Sequence, residues 1–250
     1  MNTKFHIFSS TTSVAVVFGK SREFLFPPVV ASMMENGVDL PVPDRRFFHT
    51  LLSDEKLQGS SPLEHDFVKQ NHNIYLKYLT SQRLDDIMGV YADNFYLELD
   101  KVIHVDSIGE EWREIKLHET MRKVVFETST TTFFGQRIRK CWGENMWPDF
   151  RTWNDATYVG VRANFAYYFQ PRAYFARKRM LQAFDKWVDC DIEDWPEETG
   201  VWGEKWGCRM NWEREKLARQ VGFTHRGRAC SQASFLFVEV SIVLKLLLKC

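Results

Sequence analysis

Cysteine is scarce in this chain of 250 residues, and its spacing suits neither a metal centre nor a disulfide framework. A zinc site would need paired Cys-x-x-Cys motifs or similar clusters, and none occurs, so we predict no structural metal. Few, widely spaced thiols are typical of a protein in a reducing compartment or on the cytosolic face of a membrane. The five cysteines are Cys141, Cys190, Cys208, Cys230 and Cys250.

The sequence also has no excess of charge of either sign. It carries 33 basic and 33 acidic residues, so no overall field attracts nucleic acid or anionic lipid. Modules that bind nucleic acid normally show a basic patch or stripe. We therefore predict no nucleic-acid partner.

Long apolar runs are missing as well. The run from Val240 to Leu248 is interrupted by Lys245, and it is shorter than the roughly 20 residues that cross a bilayer. The amino terminus lacks the charged, apolar and small-residue regions of a secretory signal. A hydrophobic content of 44% with 15% aromatic residues nevertheless indicates a folded chain rather than a disordered one.

Common catalytic motifs are absent too. The sequence has no Gly-x-Ser-x-Gly elbow and no glycine-rich phosphate loop, which removes the support for a hydrolase or a nucleotide-binding protein. The stretch from His118 to Arg122 begins like the HExxH motif of zinc proteases. Because arginine occupies the place of the second histidine, we reject a zinc site there.

The patterns that are present predict mostly helix. Apolar residues recur at helical spacing in Asn71–Met88, in Leu117–Thr132 with a stop at Gly135, and in Arg177–Trp187. Hydroxyl residues open another short helix over Ser10–Phe18. The acidic, tryptophan-rich stretch Asp189–Gly207 is predicted to be a solvated linker.

Five segments in fixed order resemble one family, the haem-thiolate monooxygenases called cytochrome P-450, and most nearly its fungal members related to sterol 7α-hydroxylases and prostacyclin synthase. Phe5–Phe24 looks like an early strand with a short helix, and Asn71–Met88 like the third long helix over a haem face. Leu117–Ile138 looks like a helix ending in Phe-Gly. Tyr168–Trp187 looks like the substrate lid, and Thr224–Val238 like the start of the central helix.

The resemblance implies a mainly α fold with minor β structure, corresponding to the amino-terminal half of the family's fold. We expect one incomplete domain over residues 1–238, followed by a divergent apolar tail over residues 239–250. The helix that resembles the central helix is expected to end within a few residues of Phe237.

The resemblance also implies a haem cofactor, held in the family by a cysteine thiolate. The family's Phe-x-x-Gly-x-x-x-Cys-x-Gly loop does not occur here, so we predict no catalytic residue and no metal ligand in this chain. By position in the third helix, His72 and Lys77 would contact the haem propionates, because a cation stabilises a carboxylate by charge-assisted hydrogen bonds.

For the substrate, the resemblance implies an apolar or lipid-like small molecule beneath the lid, contacted by Phe165, Tyr168 and Phe237. It further implies an electron-donating reductase as partner. Full-length relatives are expected on the cytosolic face of the endoplasmic reticulum, and membrane association of this chain would require an anchor upstream of it.

Two alternatives stay open beside a monooxygenase. The chain could be a non-catalytic fragment whose exposed apolar faces bind other chains. It could also be a helical interaction protein that shares only amphipathic periodicity with the family, because fold by itself does not fix function.

Overall fold

The computed structural model describes residues 27–49, 67–80, 82–104, 115–160, 169–192, 195 and 200–247, and these are mostly α-helical. A π-helical turn (Met33–Gly37) and two 3₁₀ turns (Val42–Asp44 and Gly143–Asn145) join some of the longer elements. The helices and strands, numbered in chain order, are α1 (Pro27–Ser32), α2 (Arg46–His49), α3 (Phe67–Leu79), α4 (Gln82–His104), α5 (Leu117–Trp142), α6 (Met146–Gly160), α7 (Pro171–Val188), β1 (Trp202–Gly203), β2 (Gly207–Cys208), α8 (Arg209–Gln220) and α9 (His225–Leu247).

The predicted class, mainly α with minor β, is confirmed. The described residues contain one antiparallel sheet of two short strands, in which Trp202 lies opposite Cys208. The strand and helix predicted within Phe5–Phe24 lie outside the described residues. A single apolar cluster, rich in aromatic side chains such as Trp153, forms the core between the helices.

The prediction of one continuous helix over Asn71–Met88 is wrong. The segment forms parts of two helices, since α3 ends at Leu79 and α4 begins at Gln82. The Thr80 hydroxyl donates to the carbonyl of Leu76 at 2.5 Å, and threonine and serine favour helix ends because their side chains compete for backbone groups.

Helix α5 begins at Leu117 as predicted, but the stop predicted at Gly135 is a break inside a longer helix. Gly135 has φ 72° and ψ −179°, and the helix then continues to Trp142. A side chain is excluded there, because a Cβ would lie 2.3 Å from the carbonyl oxygen of Glu204 and a positive φ favours glycine. That same oxygen accepts a hydrogen bond from the Gln136 backbone N–H at 3.0 Å, so the turn between β1 and β2 caps the resumed helix.

The polar stretch before the break is held by tertiary packing, as its weak helix propensity predicts. Residues 128–132 are all buried, and the Asn94 side-chain amide of α4 donates to the Thr132 hydroxyl at 3.0 Å. Backbone carbonyls around the break accept from side chains that follow α6 in the sequence. The pairs are Trp202 Nε1 with Thr131, Asn211 Nδ2 with Phe133, and Trp187 Nε1 with Phe134.

Helix α7 buries the face that its sequence predicts. Met180, Leu181, Phe184 and Trp187 are at most 1% exposed. They recur at helical spacing, so one side of α7 faces the core while the other faces water. The amphipathic prediction for this helix is confirmed.

The solvated linker predicted over Asp189–Gly207 is wrong at its carboxyl-terminal end. This end forms the β1–β2 hairpin, and Trp195 and Trp206 are buried. This end is not a solvated linker because Gly207 packs directly against the backbone of α5. A Cβ on Gly207 would lie 2.4 Å from the backbone nitrogen of Gly135.

Helix α9 is longer than the sequence suggested. It begins at His225 and runs to Leu247, so the expectation that it ends near Phe237 is wrong. Thr224 caps it, because its hydroxyl accepts from the Gly227 N–H at 3.0 Å. None of the described helices, α9 included, has an apolar stretch long enough to cross a membrane.

Candidate functional site

The cysteines are the first test of a haem-thiolate site. Cys208 and Cys230 are buried, Cys141 and Cys190 are half-buried, and none of these four forms a disulfide. The Cys230 thiol donates to the carbonyl of Val38 at 3.1 Å, and burial raises its pKa to about 12. Burial also raises the pKa of the Cys190 thiol.

A metal-ligating cysteine must be a thiolate, and thiolates occur in electropositive, partly exposed surroundings. Cys190 and Cys230 have the opposite character, since burial raises the pKa of both thiols and favours their neutral form. Within the described ranges no group of three or more His, Cys, Asp or Glu side chains is placed to hold a metal ion. Cys190 and Cys230 therefore do not fit a thiolate ligand of haem.

The two predicted propionate contacts lie on α3. His72 and Lys77 are both exposed. The Lys77 ammonium donates to both carboxylate oxygens of Glu213 on α8, at 2.6 and 2.8 Å, and the Tyr78 hydroxyl donates to the same carboxylate at 2.7 Å. Burial, followed by the bond to Glu213, raises the pKa of Tyr78. Lys77 thus links α3 to α8, and a haem role for His72 and Lys77 stays a prediction.

One of the three predicted substrate contacts, Phe237, lies within the described part of the chain. Phe237 is half-buried on α9, with its ring 5.0 Å from that of the fully buried Trp153. Phe165 and Tyr168 lie outside the described residues. The contact with Trp153 gives Phe237 a packing role, and its contact with a substrate stays a prediction.

A cleft lies between three helices. It has a volume of about 920 Å³ and lies between the first turns of α5, one face of α6 and the beginning of α7. This volume is within the range of small-molecule sites. Its charged lining comprises His118, Glu119, Arg122, Arg151, Asp155 and Arg172, and its apolar lining includes Trp147, Ala156, Phe169, Pro171 and Ala173.

Two ion pairs of unequal quality cross this cleft. Arg151 Nη1 lies 2.6 Å from Glu119 Oε1, whereas Arg122 Nη2 lies 3.5 Å from Asp155 Oδ1. The Nε atom of Arg122 is buried and finds no acceptor among the described residues. The Arg122 guanidinium also lies 5.8 Å from the centre of the Trp147 ring, within the range of a cation–π contact.

Sequence reasoning missed this cleft. It weighed His118 and Arg122 only as a failed zinc motif, yet both side chains line the cleft from one face of α5. A signal was present in α6, where Trp147, Arg151 and Asp155 recur every four residues and so share a face. Neither pattern alone reveals that the two faces lie opposite each other.

A second charged cluster joins α4 to α5. Arg139 contacts Glu98, and its Nη2 lies 2.9 Å from Glu127 Oε2. Burial raises the pKa of Glu127 and outweighs the attraction of Arg139. Burial acts in the same direction on Glu98, but hydrogen bonds from Arg139 and Lys101 outweigh it and hold the pKa of Glu98 below its usual range.

Comparisons with protein families, with curated proteins and with solved structures gave no match for this chain. The resemblance to the haem-thiolate monooxygenases consequently stays a prediction that rests on the five sequence segments between Phe5 and Val238.

Proposed function

We propose that this chain is related to the haem-thiolate monooxygenases and that its described helices bind an apolar or lipid-like small molecule without carrying out oxygen chemistry themselves. In this proposal the described part of the chain is the substrate-binding portion of a mainly α fold. The expected reductase and haem would act with parts of such a fold that the described residues do not supply.

The observation that carries this proposal is the position of Phe134. It belongs to the Phe-Phe-Gly sequence of α5, and its ring lies 5.2 Å from Phe184, 5.5 Å from Trp187 and 6.0 Å from Phe235. Three segments that separately resemble the family, on α5, α7 and α9, thus pack together at one side chain. The three segments therefore belong to one folded unit.

The cysteines of the described helices limit the chemistry that these helices can carry out. A bound haem with a thiolate ligand would supply oxygen activation. Cys208 and Cys230 are both buried, and burial raises the pKa of the Cys230 thiol, so neither fits such a ligand. We therefore assign ligand binding to the described residues and no catalytic step.

Ligand binding can be tested with the intact 250-residue chain by the fluorescence of its nine tryptophans. We expect saturable changes on titration with dodecanol or a sterol, because Trp147 lines the cleft between α5, α6 and α7. The short, polar alcohol glycerol is the control. No saturable response to any apolar probe would contradict the proposed function.

A haemin titration tests the assignment of the cysteines. We expect no thiolate-type spectrum after reduction and addition of carbon monoxide, because burial raises the pKa of the Cys190 and Cys230 thiols and so favours their neutral form. A thiolate-type spectrum that disappears in Cys230→Ser would show that this cysteine can bind iron, contrary to its observed surroundings.

A second candidate is an interaction protein, favoured by exposed apolar side chains on α4. Tyr96 is 69% exposed and the adjacent Leu97 is 60% exposed. Contiguous exposed apolar surface often marks a protein contact. Analytical ultracentrifugation of the wild type and of Tyr96→Ser/Leu97→Ser tests it, since self-association that the double variant abolishes would favour this candidate.

A further inference from the structure

We infer that the cleft between α5, α6 and α7 binds an amphipathic monocarboxylate, with Arg122 recognising the carboxylate and Trp147 and Phe169 contacting the apolar body. This assignment builds on the proposed binding of an apolar molecule and adds the chemistry of its polar end. It requires a cation that can accept a new partner, an apolar surface beside that cation, and enough space for both.

Arg122 meets the first requirement. Its Nε atom lacks an acceptor in the described part of the chain, and its contact with Asp155 is long for a charged hydrogen bond at 3.5 Å. Asp155 is itself 59% exposed, so water weakens its attraction for Arg122. A guanidinium binds carboxylates well because its planar N–H groups match the two oxygens.

The other charges in the cleft are compatible with an anion at Arg122. Glu119, which lies three residues before Arg122 on α5, already pairs with Arg151 at 2.6 Å. His118 and Arg172 add further donors to the lining. Asp155 is the one carboxylate that would compete with the ligand, and its exposure allows it to turn toward water.

The apolar requirement is met by one aromatic ring on α6 and one in the segment before α7. Trp147 is 8% exposed and lies beside the Arg122 guanidinium, whereas Phe169 is 80% exposed. An apolar chain that covered Phe169 would remove its ring from water, which favours binding. A charged group next to an aromatic surface fits a ligand with one anionic end, and the volume of about 920 Å³ accommodates it.

The test compares dodecanoate with dodecanol on the intact chain, below the concentration at which dodecanoate forms micelles. Both ligands carry the same apolar chain and differ at the head group. We expect dodecanoate to bind at least about 10-fold more tightly, which is the order expected for a hydrogen-bonded charge pair. Binding of both with equal affinity would overturn the inference but leave the proposed function standing, whereas binding of neither would overturn both.

Variants assign the effect to the cleft. Arg122→Gln should weaken dodecanoate binding about 10-fold or more and leave dodecanol binding within about twofold. Lys123→Gln is the matched control, because it removes the same charge from the next, exposed position of α5, which does not line the cleft. Equal losses in the two variants would indicate a general charge effect and overturn the role of Arg122.

Arg122 also packs on Trp147, so the folding of its variant is checked by circular dichroism and thermal unfolding. Arg122→Lys gives a second, more conservative readout. It keeps the charge but loses the planar arrangement of donors, so its affinity for dodecanoate should fall between wild type and Arg122→Gln. If both variants fold normally and bind dodecanoate with unchanged affinity, Arg122 does not recognise the carboxylate.

Discussion

Gly227→Ala should destabilise the chain strongly, although alanine normally favours a helix. Gly227 lies in the first turn of α9, where a Cβ would be 2.1 Å from Asp44 Oδ2 and 2.5 Å from its Cγ. Ordinary contact begins at 3.4 Å, so the carboxylate would have to move by about 1.3 Å. Asp44 is 1% exposed and accepts hydrogen bonds from both the backbone N–H and the hydroxyl of Thr224.

The expected loss follows from these contacts. Each hydrogen bond to a charged group contributes about 1.5–3 kcal/mol, and the displacement weakens two of them. Replacing glycine by alanine in a helix returns up to about 1 kcal/mol. We therefore expect the free energy of unfolding to fall by about 2–4 kcal/mol in Gly227→Ala.

Urea unfolding followed by circular dichroism measures this change, with Gly89→Ala as the matched control. Gly89 lies inside α4, is exposed, and has no atom within 4 Å of an added Cβ. This control should gain about 0.5–1 kcal/mol. A Gly227→Ala variant as stable as Gly89→Ala would refute the packing of Asp44 against α9.

A double-mutant cycle isolates the cause. Asp44→Ala alone should destabilise, because it removes the acceptor for Thr224. Adding Gly227→Ala to Asp44→Ala should then cost nothing or stabilise slightly, since the clash is gone and only helix propensity differs. If Gly227→Ala lowers the free energy of unfolding equally with and without the Asp44 side chain, the loss does not come from a clash with Asp44.

Two further predictions concern α5. Glu98→Gln should lower the free energy of unfolding at neutral pH by about 1–3 kcal/mol, whereas Glu127→Gln should leave it unchanged or raise it, because the pKa of Glu98 is depressed and that of Glu127 is raised. In denaturant titrations at several pH values, the stabilisation by Glu98 should be complete above its ordinary pKa near 4.3 and should be lost as the pH falls through its depressed pKa. Glu127 should instead destabilise increasingly as the pH rises from about 4.3 to its raised pKa. Identical pH profiles for the two variants would contradict the opposite shifts. Gly135→Ala should destabilise by about 2–4 kcal/mol more than Gly143→Ala in thermal unfolding, because both glycines have positive φ but only Gly135 meets backbone atoms within 3 Å; equal losses would remove the steric argument.

Features set by neighbouring residues could be predicted from the sequence. The buried face of α7 follows from apolar residues at helical spacing, and the start of α5 at Leu117 agrees with its pattern. The polar stretch before Gly135 was expected to depend on tertiary packing because threonine has a weak helix propensity, and residues 128–132 are indeed buried.

Features set by distant contacts could not be predicted in the same way. The β1–β2 hairpin exists where Gly207 meets Gly135, 72 residues earlier in the chain. The cleft needs side chains from three helices, and Arg122 becomes a candidate only when Asp155 and Trp147 are placed beside it. The division between α3, which ends at Leu79, and α4, which begins at Gln82, is likewise not registered by apolar periodicity.

The break in α5 has a consequence for how the chain matures on the ribosome. The groups around Gly135 are completed by Trp187, Trp202, Glu204 and Asn211, all of which are translated later. At bacterial or eukaryotic rates of about 5–20 residues per second, the last of these partners emerges several seconds after Gly135. During that interval the threonine-rich stretch and the Phe-Phe-Gly segment lack their native partners, so nascent chains paused before residue 211 should bind chaperones more strongly than the completed chain does.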